Sequence, residues 1–316
     1  MAQGGERVVV AALAVNLAIA VGKFVAAGFS GSTAMLAEAC HSLADSANQI
    51  FLLIGMRRST RAPDAKHPFG YGSETYFWAF IVALCIFSIG GGISVIEGVQ
   101  KIVHRHDLAH ALHDPWWAIG VLGASVLLES YSLKVALHEF QEIRAGRSVR
   151  RTLKDARDPT VLTVLFEDLA ALFGLAVALG GVVLTWRTGQ AVWDGLASVI
   201  VGVALVAVAW VLARDAKGLL IGAAAAPADE AKIAEVVRTH PDVVALVHAR
   251  TMHLGPTEVI LALKVHFNPQ MTVAVLERRI NELEARLREA VPTLRRIYVE
   301  PGFDESLGRA RAGDAA

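Results

Sequence analysis

The sequence predicts an α-helical integral membrane protein, six transmembrane helices followed by a small α+β domain. Three observations predict it. The first is composition: 54% of the 316 residues are apolar and 19% are charged, against about 45–50% and about 25% in an average soluble protein. The second is distribution. Thr75–Ile96 runs 22 residues without Asp, Glu, Lys or Arg, and Leu169–Trp186 and Gly195–Leu212 run 18 each, close to the roughly 20 apolar residues that a spanning helix needs. The third is the abrupt end of this pattern near Arg214. The same arithmetic excludes other classes. Lys+Arg and Asp+Glu both total 30, which rules out a polybasic nucleic-acid binder and an acidic disordered chain. The cysteines, Cys40 and Cys85, are too few for a disulfide framework or a multi-cysteine zinc site.

The six spans fall at 7–28, 34–56, 74–99, 115–137, 159–186 and 191–213. The first contains Asn16 and Lys23, so it reads as a retained helix rather than a cleaved signal peptide. The loop after span two carries Arg57, Arg58, Arg61 and Lys66, and the loop after span four Arg144, Arg147, Arg150, Arg151, Lys154 and Arg157. The opposite loops hold Lys101, Arg105 and Arg187. Positive residues accumulate on the cytoplasmic side, so both termini are expected there, in the inner membrane of a bacterium. The predicted transport domain is 1–213.

Beyond it, 214–301 reads as a cytoplasmic domain and 302–316 as a disordered tail. A helix at 228–239 begins after Pro227. Val243–Leu254 is a strand and Gly255-Pro256-Thr257 a turn. Glu258–Phe267 alternates, with Val259, Leu261, Leu263, Val265 and Phe267 on one face. Thr272–Ala290 spaces Leu276, Ile280, Leu283 and Leu287 as a helix does, and Arg295–Val299 is a last strand. The order α-β-β-α-β is that of a two-layer domain of ferredoxin-like type.

Ionisable residues inside a span each cost roughly 2.5–3.5 kcal/mol on the insertion scale, which makes them functional candidates. In span two, His41 and Asp45 stand at i and i+4 on one face, with Glu38 and Asn48 a turn to either side. Span five carries adjacent carboxylates, Glu167 and Asp168. One imidazole with several carboxylates suits a divalent cation, zinc above all, with manganese or iron(II) as alternatives. A plainer pattern is a polar pair that only joins helices. Glu129 in span four reads as a helix-packing carboxylate, and Cys40 as packing. His104, His106, His110 and His113 read as solvated outer-loop residues, and Gly90-Gly91-Gly92 as a packing or flexing point.

With Gly31-Ser32-Thr33-Ala34-Met35 before it and His67-Pro68-Phe69-Gly70-Tyr71-Gly72 after it, span two resembles that of the cation diffusion facilitators. The resemblance covers nearly the whole chain. It implies a homodimer in a lipid bilayer that moves Zn2+, Fe2+ or Mn2+ against protons, and it implies no catalysis. The family's transport ligands fall on His41, Asp45 and Asp168; the fourth position falls on Val164, which cannot bind metal. Glu167 or water is then the expected substitute. The mitochondrial zinc transporter nine-like branch has the same Glu-Asp without histidine, and this chain is most similar to it. A loop site in the family matches at Asp64 and His67, with Tyr71 at a third position. The family's tail ligands fall on Val247, Leu263, Leu276 and Tyr298, with Glu300 left and His248, His253 and His266 out of place. The tail is therefore expected to dimerise rather than to sense metal.

The resemblance implies proton-coupled efflux by alternating access, with His41, Asp45 and Asp168 exchanging protons for metal. Imidazole changes charge near neutral pH. Two other classes fit the residues less well. An intramembrane hydrolase using Asp45 and Asp168 lacks a nucleophile motif, and a dimeric membrane scaffold would need no ion.

Overall fold

The computed structural model describes residues 2–30, 33–103, 115–155, 158–190 and 192–302. The side chains of Glu38, Cys40 and His41, the outer-loop histidines 104–113 and the tail from 303 lie outside the described residues. The chain divides into two compact units, Met1–Ser59 with Glu74–Lys217, and Thr60–Ser73 with the chain from Gly218 onward.

The first unit is helical. It comprises α1 (Ala2–Ser30), α2 (Thr33–Ser59), α3 (Glu74–Cys85), a π-helical turn (Ile86–Gly92), α4 (Ile93–Val103), α5 (Pro115–Arg144), α6 (Val149–Asp155), α7 (Pro159–Thr188) and most of α8 (Val192–Gly222). Among the described residues five helical stretches are long and apolar enough to cross a membrane. They are α1, the continuous α3–π–α4 rod, α5, α7 and the stretch beginning with α8. α2, the 27-residue helix that carries Asp45, Asn48 and Gln49, is not one of the five.

Local sequence sets the ends of α7. Asp158 caps it by accepting the Thr160 amide at 2.9 Å, Pro159 stands at the first turn, and Gly189 closes it in the left-handed conformation at φ 68°. The apolar core joins Val8, Val9 and Ala12 of α1 to Leu52 of α2, Ala79 and Val82 of α3, Ala136 of α5 and Val164 of α7. Many of these residues are small. In a bilayer, helix association depends on close van der Waals approach, which small residues permit.

The π turn and α4 meet α8 backbone to backbone. A Cβ added at Gly202 would stand 2.9 Å from the Gly91 carbonyl oxygen and 2.8 Å from the Val95 amide nitrogen. One turn-pair further on, a Cβ at Gly98 would stand 2.7 Å from the Gly195 oxygen and 2.8 Å from the Val199 nitrogen. Both glycine pairs are spaced by seven residues and run in opposite directions, so the rod and α8 are antiparallel. Lys101 and Asp194 close the end of this crossing with an ion pair at 2.8 Å. The glycines of the third span are thus packing points, at Gly91 and Gly98.

The second unit has α9 (Pro227–Arg238), β1 (Val243–Gly255), β2 (Glu258–Phe267), α10 (Val273–Ala290) and β3 (Leu294–Pro301). The three-stranded sheet has the order β1-β2-β3, with β1 antiparallel and β3 parallel to β2. The alternation read in β2 is the burial pattern: Val259, Leu261, Leu263, Val265 and Phe267 are buried. They pack against Ile233 and Val237 of α9 and Leu283 and Leu287 of α10. Helical and strand periods thus meet in one core.

Residues Thr60–Ser73 belong to this unit. Asp64 Oδ1 accepts the amides of Lys66 and His67 at 2.9 and 2.7 Å, and its Oδ2 accepts the Tyr71 hydroxyl at 2.6 Å. Gly72 lies against the β1–β2 turn so closely that a Cβ would collide with the Leu254 carbonyl. Ser73 Oγ donates to that same carbonyl at 3.2 Å, and the Arg296 guanidinium lies over the Phe69 ring at 5.3 Å.

His240 makes the second unit sensitive to acid. It is 3% exposed, and its Nδ1 has no hydrogen-bond partner among the described residues. Burial first, and the Arg286 charge second, hold the imidazole below its ordinary pKa of 6.5. The folded state therefore favours the neutral ring, and the unfolded state takes up the proton first. The associated stability is full above pH 6.5 and is lost as pH falls below it. Hydrogen exchange in the β-sheet, corrected for intrinsic rates, is expected to show weaker protection at pH 5.5 than at 7.5. His240→Asn should remove part of that difference; an unchanged difference would rule out His240 as its source.

Candidate functional site

Asp168 sits in the tenth position of α7 and is 2% exposed. Its Oδ2 accepts the Ser132 hydroxyl of α5 at 2.8 Å. Glu167, the preceding residue, points elsewhere, as successive residues on a helix diverge by about 100°. Both of its oxygens are engaged by α2: Asn48 Nδ2 donates to Oε1 at 2.8 Å and Gln49 Nε2 to Oε2 at 2.9 Å. The adjacent pair read from the sequence therefore has two jobs. One carboxylate ties α7 to α2, and the other faces α5.

Asp45 is half-buried on α2. It lies within electrostatic reach of Glu167 and of Glu129, and both of these also feel Asp168. Glu129 comes from α5 and is 8% exposed. Four carboxylates from α2, α5 and α7 thus share one region of the helical unit. Lys23 of α1, 6% exposed, acts on Glu129 and donates to Ser42 Oγ at 2.9 Å. Among the described residues, one lysine against four carboxylates, three of them buried, leaves an excess of negative charge. Such a region is stable only with protons or cations in it.

Among the described residues, no three His, Cys, Asp or Glu side chains come together closely enough to hold a metal ion. His41 shares the helical face of Asp45 by spacing, and its side chain lies outside the described residues. Val164 is fully buried, in the apolar core with Val161 and Leu165.

In the second unit, His67 Nδ1 stands 3.7 Å from Asp64 Oδ1, with both side chains half-exposed. The Tyr71 hydroxyl is the first cause that holds the Asp64 carboxyl below the usual range, followed by the His67 amide. Leu263 is core and Leu276 packs on it, while Glu300 pairs with Lys264 at 3.0 Å. His253 is buried, with Nδ1 3.2 Å from the Gly255 carbonyl, and His248 and His266 lie on neighbouring strands.

Sequence reading alone passed over Glu129, Ser132, Lys23 and Gln49 as parts of this region, and placed Asn48 on the Asp45 face without its partner Glu167. A signal existed for α5: Ser125, Glu129 and Ser132 recur at i, i+4 and i+7, the spacing of one buried face. No such signal marked the partners of Glu167, which come from more than a hundred residues away.

Two family models match the chain. The cation efflux transmembrane domain matches residues 9–221, and the cation efflux protein cytoplasmic domain matches 225–301. Metal tolerance protein C4 of Arabidopsis thaliana is 34% identical over 86% of this chain and 59% of its own length. The mitochondrial proton-coupled zinc antiporter SLC30A9 of Homo sapiens is 31% identical over 88% of this chain and 49% of its own. The magnetosome protein MamM of Magnetospirillum gryphiswaldense is 23% identical over 91% and 85%. The chain spans about half of the length of the first two relatives. The chain is thus a multi-pass membrane protein that belongs to the cation efflux, or cation diffusion facilitator, family and lies near its SLC30A9 branch.

Proposed function

We propose that this protein exports a divalent metal cation, zinc first, from the cytoplasm in exchange for protons. The observation that carries the proposal is the buried excess of negative charge: Asp45, Asp168, Glu129 and Glu167 around one region of the helical unit. Such a region alternates between holding metal and holding protons, and that alternation is the coupling. Asp45 and Asp168, with His41 on the Asp45 face, hold the ion and give it up to protons. The relatives' names, zinc antiporter and metal tolerance protein, favour the same class of cargo.

α2 is the sixth span in this reading, although it carries the polar face. Both termini and the ten positive residues of the two basic loops then face the cytoplasm. The α+β unit is of ferredoxin-like type and pairs two copies of the chain, as the description of its family relatives as a cytoplasmic domain of efflux proteins suits. A bacterial inner membrane is the expected setting.

The energetics need the exchange. Moving a divalent ion outward against about 100 mV, inside negative, costs about 4.6 kcal/mol, and each returning proton offsets about 2.3 kcal/mol of this. A pH gradient of one unit adds about 1.4 kcal/mol per proton. Switching between inward and outward access lets one set of residues serve both sides.

The test is uptake of zinc, manganese, iron(II) and cobalt, in competition, by proteoliposomes under an imposed pH gradient. Zinc uptake should rise with the gradient and vanish when an ionophore collapses it. Uptake indifferent to the ionophore would overturn the coupling, and no uptake of any of the four ions would overturn the transport reading.

A further inference from the structure

The proposed site has a gap. The residue one turn before Asp168 on its own face is Val164, which is fully buried and has no donor atom. Glu167 is poorly placed to fill the gap. Both of its oxygens accept amide hydrogen bonds from α2, and it would have to give up at least one to bind an ion.

Glu129 has no such commitment at Oε2. That oxygen is buried and accepts no hydrogen bond among the described residues. A carboxylate oxygen left bare inside a helical bundle is costly, and a proton or a cation is what relieves it. Its position is fixed by the helix. Glu129 is three residues before Ser132, on the same face of α5, and Ser132 donates to Asp168 at 2.8 Å. Glu129 therefore stands one turn along α5 from the point of contact with Asp168. The charges of both Asp168 and Asp45 act on it.

We propose that Glu129 is a ligand of the transported divalent cation, placed on the side of Asp168 away from Val164. The inference rests on the transport reading above and deepens it. The donor set becomes carboxylates from Asp45, Glu129 and Asp168, with His41 assigned by its spacing from Asp45; as described these carboxylates stand too far apart to hold an ion together, and α2, α5 and α7 close on it as it binds. An oxygen-rich set of this kind is less selective for zinc over manganese than one with two imidazoles. A ligand on α5 also gives that helix a direct part in holding and releasing the ion.

The experiment measures zinc and manganese binding by calorimetry, and uptake of each by proteoliposomes, on the full chain. Glu129→Gln keeps the shape and removes the charge. It is expected to weaken zinc binding by at least about tenfold, with a thermal midpoint level or raised in the absence of metal. Glu129→His replaces one donor by another; it should keep zinc binding and raise the zinc-to-manganese ratio. Asp168→Asn serves as the control for the transport reading itself. Loss of binding in Asp168→Asn with unchanged zinc affinity in Glu129→Gln would overturn the role of Glu129 and leave the reading intact. Normal binding and uptake in Asp168→Asn would overturn the reading. Should Glu129→Gln fail to fold, Glu129→His decides: an unchanged zinc-to-manganese ratio overturns the proposal, and a raised one supports it.

Discussion

Asp168→Asn is expected to abolish metal flux while leaving the protein folded. The substitution preserves volume, and the amide can still accept the Ser132 hydroxyl that now bonds Oδ2 at 2.8 Å. What it removes is a charge in a position 2% exposed. In the proposed transport reading, the ion in transit is the partner of that charge. Removing one partner of a buried pair costs about 3–5 kcal/mol, and about 1.4 kcal/mol is tenfold in affinity, so binding should weaken at least about a hundredfold. Without metal the sign reverses. The empty site carries an excess of carboxylates, and deleting one relieves repulsion, so the metal-free thermal midpoint should stay level or rise. Asp45→Asn should act in the same direction. Vesicle uptake and thermal unfolding, measured on the same preparations, separate the two effects. Flux at the normal rate in both variants would end the assignment of these aspartates to the ion path.

Gly202→Val should prevent folding of the helical unit, for a reason unconnected with ions. At Gly202 the α8 backbone touches the rod of the third span, and even a Cβ would stand 2.9 Å from the Gly91 oxygen. Valine adds two further methyl groups where the neighbour is main chain and cannot rotate away. Overpacking a close-fitting interior costs about 1–3 kcal/mol where side chains can adjust; here a whole helix must move, which should cost more. Gly98→Val, seven residues along the crossing, should behave alike. The control is built into α7. Nothing lies within 4 Å of a Cβ at Gly180, whereas a Cβ at Gly181 would stand 2.7 Å from that of Ala197. Gly180→Ala should be neutral or stabilising by up to about 1 kcal/mol, and Gly181→Ala destabilising. Fluorescence-detected size exclusion reads the folded fraction. Equal yields from Gly202→Val and Gly180→Ala would show that the crossing tolerates separation.

The elements of the second unit were legible because β2 alternates and α10 repeats at helical spacing, patterns that local burial imposes directly. The long apolar stretches were legible for the same reason. The region around Asp168 was legible only in part. A carboxylate in hydrocarbon announces itself by its cost, so Asp45, Glu167 and Asp168 stood out. Their partners did not, because Ser132, Asn48 and Gln49 are ordinary polar residues whose meaning depends on which helix they face. Glu129 shows the limit from the other side: its type and spacing were visible, but a packing carboxylate and a site carboxylate look alike until Asp168 is placed beside Ser132. The loop at 60–73 reads in sequence as a connection between helices. Its membership in the second unit rests on Gly72 and Ser73 meeting the β1–β2 turn, a long-range contact without local signature.

The π turn at Ile86–Gly92 has a consequence for which lengths of chain this span can have. Tyr76, Ala79, Ala83 and Ile86 form a buried stripe on α3. Carried on at the uninterrupted α-helical period, that stripe would reach Gly90, Ser94, Glu97 and Lys101. A π turn accommodates one extra residue, and the stripe emerges instead on Gly91, Val95, Gly98 and Ile102, the residues that meet α8. Winding the turn as a plain α-helix at its present length would rotate Glu97 and Lys101 toward the crossing, where there is no room even for a methyl group, whereas deleting one residue would keep Gly91, Val95, Gly98 and Ile102 in register on a plain helix. Adding one residue to the turn would likewise bring Glu97 and Lys101 toward the crossing. The third span is therefore intolerant of a single-residue insertion but open to loss of the extra residue of the turn, although its composition of Ile, Phe, Gly and Ser gives no hint of either. Register, more than length or residue identity, is the inherited quantity there.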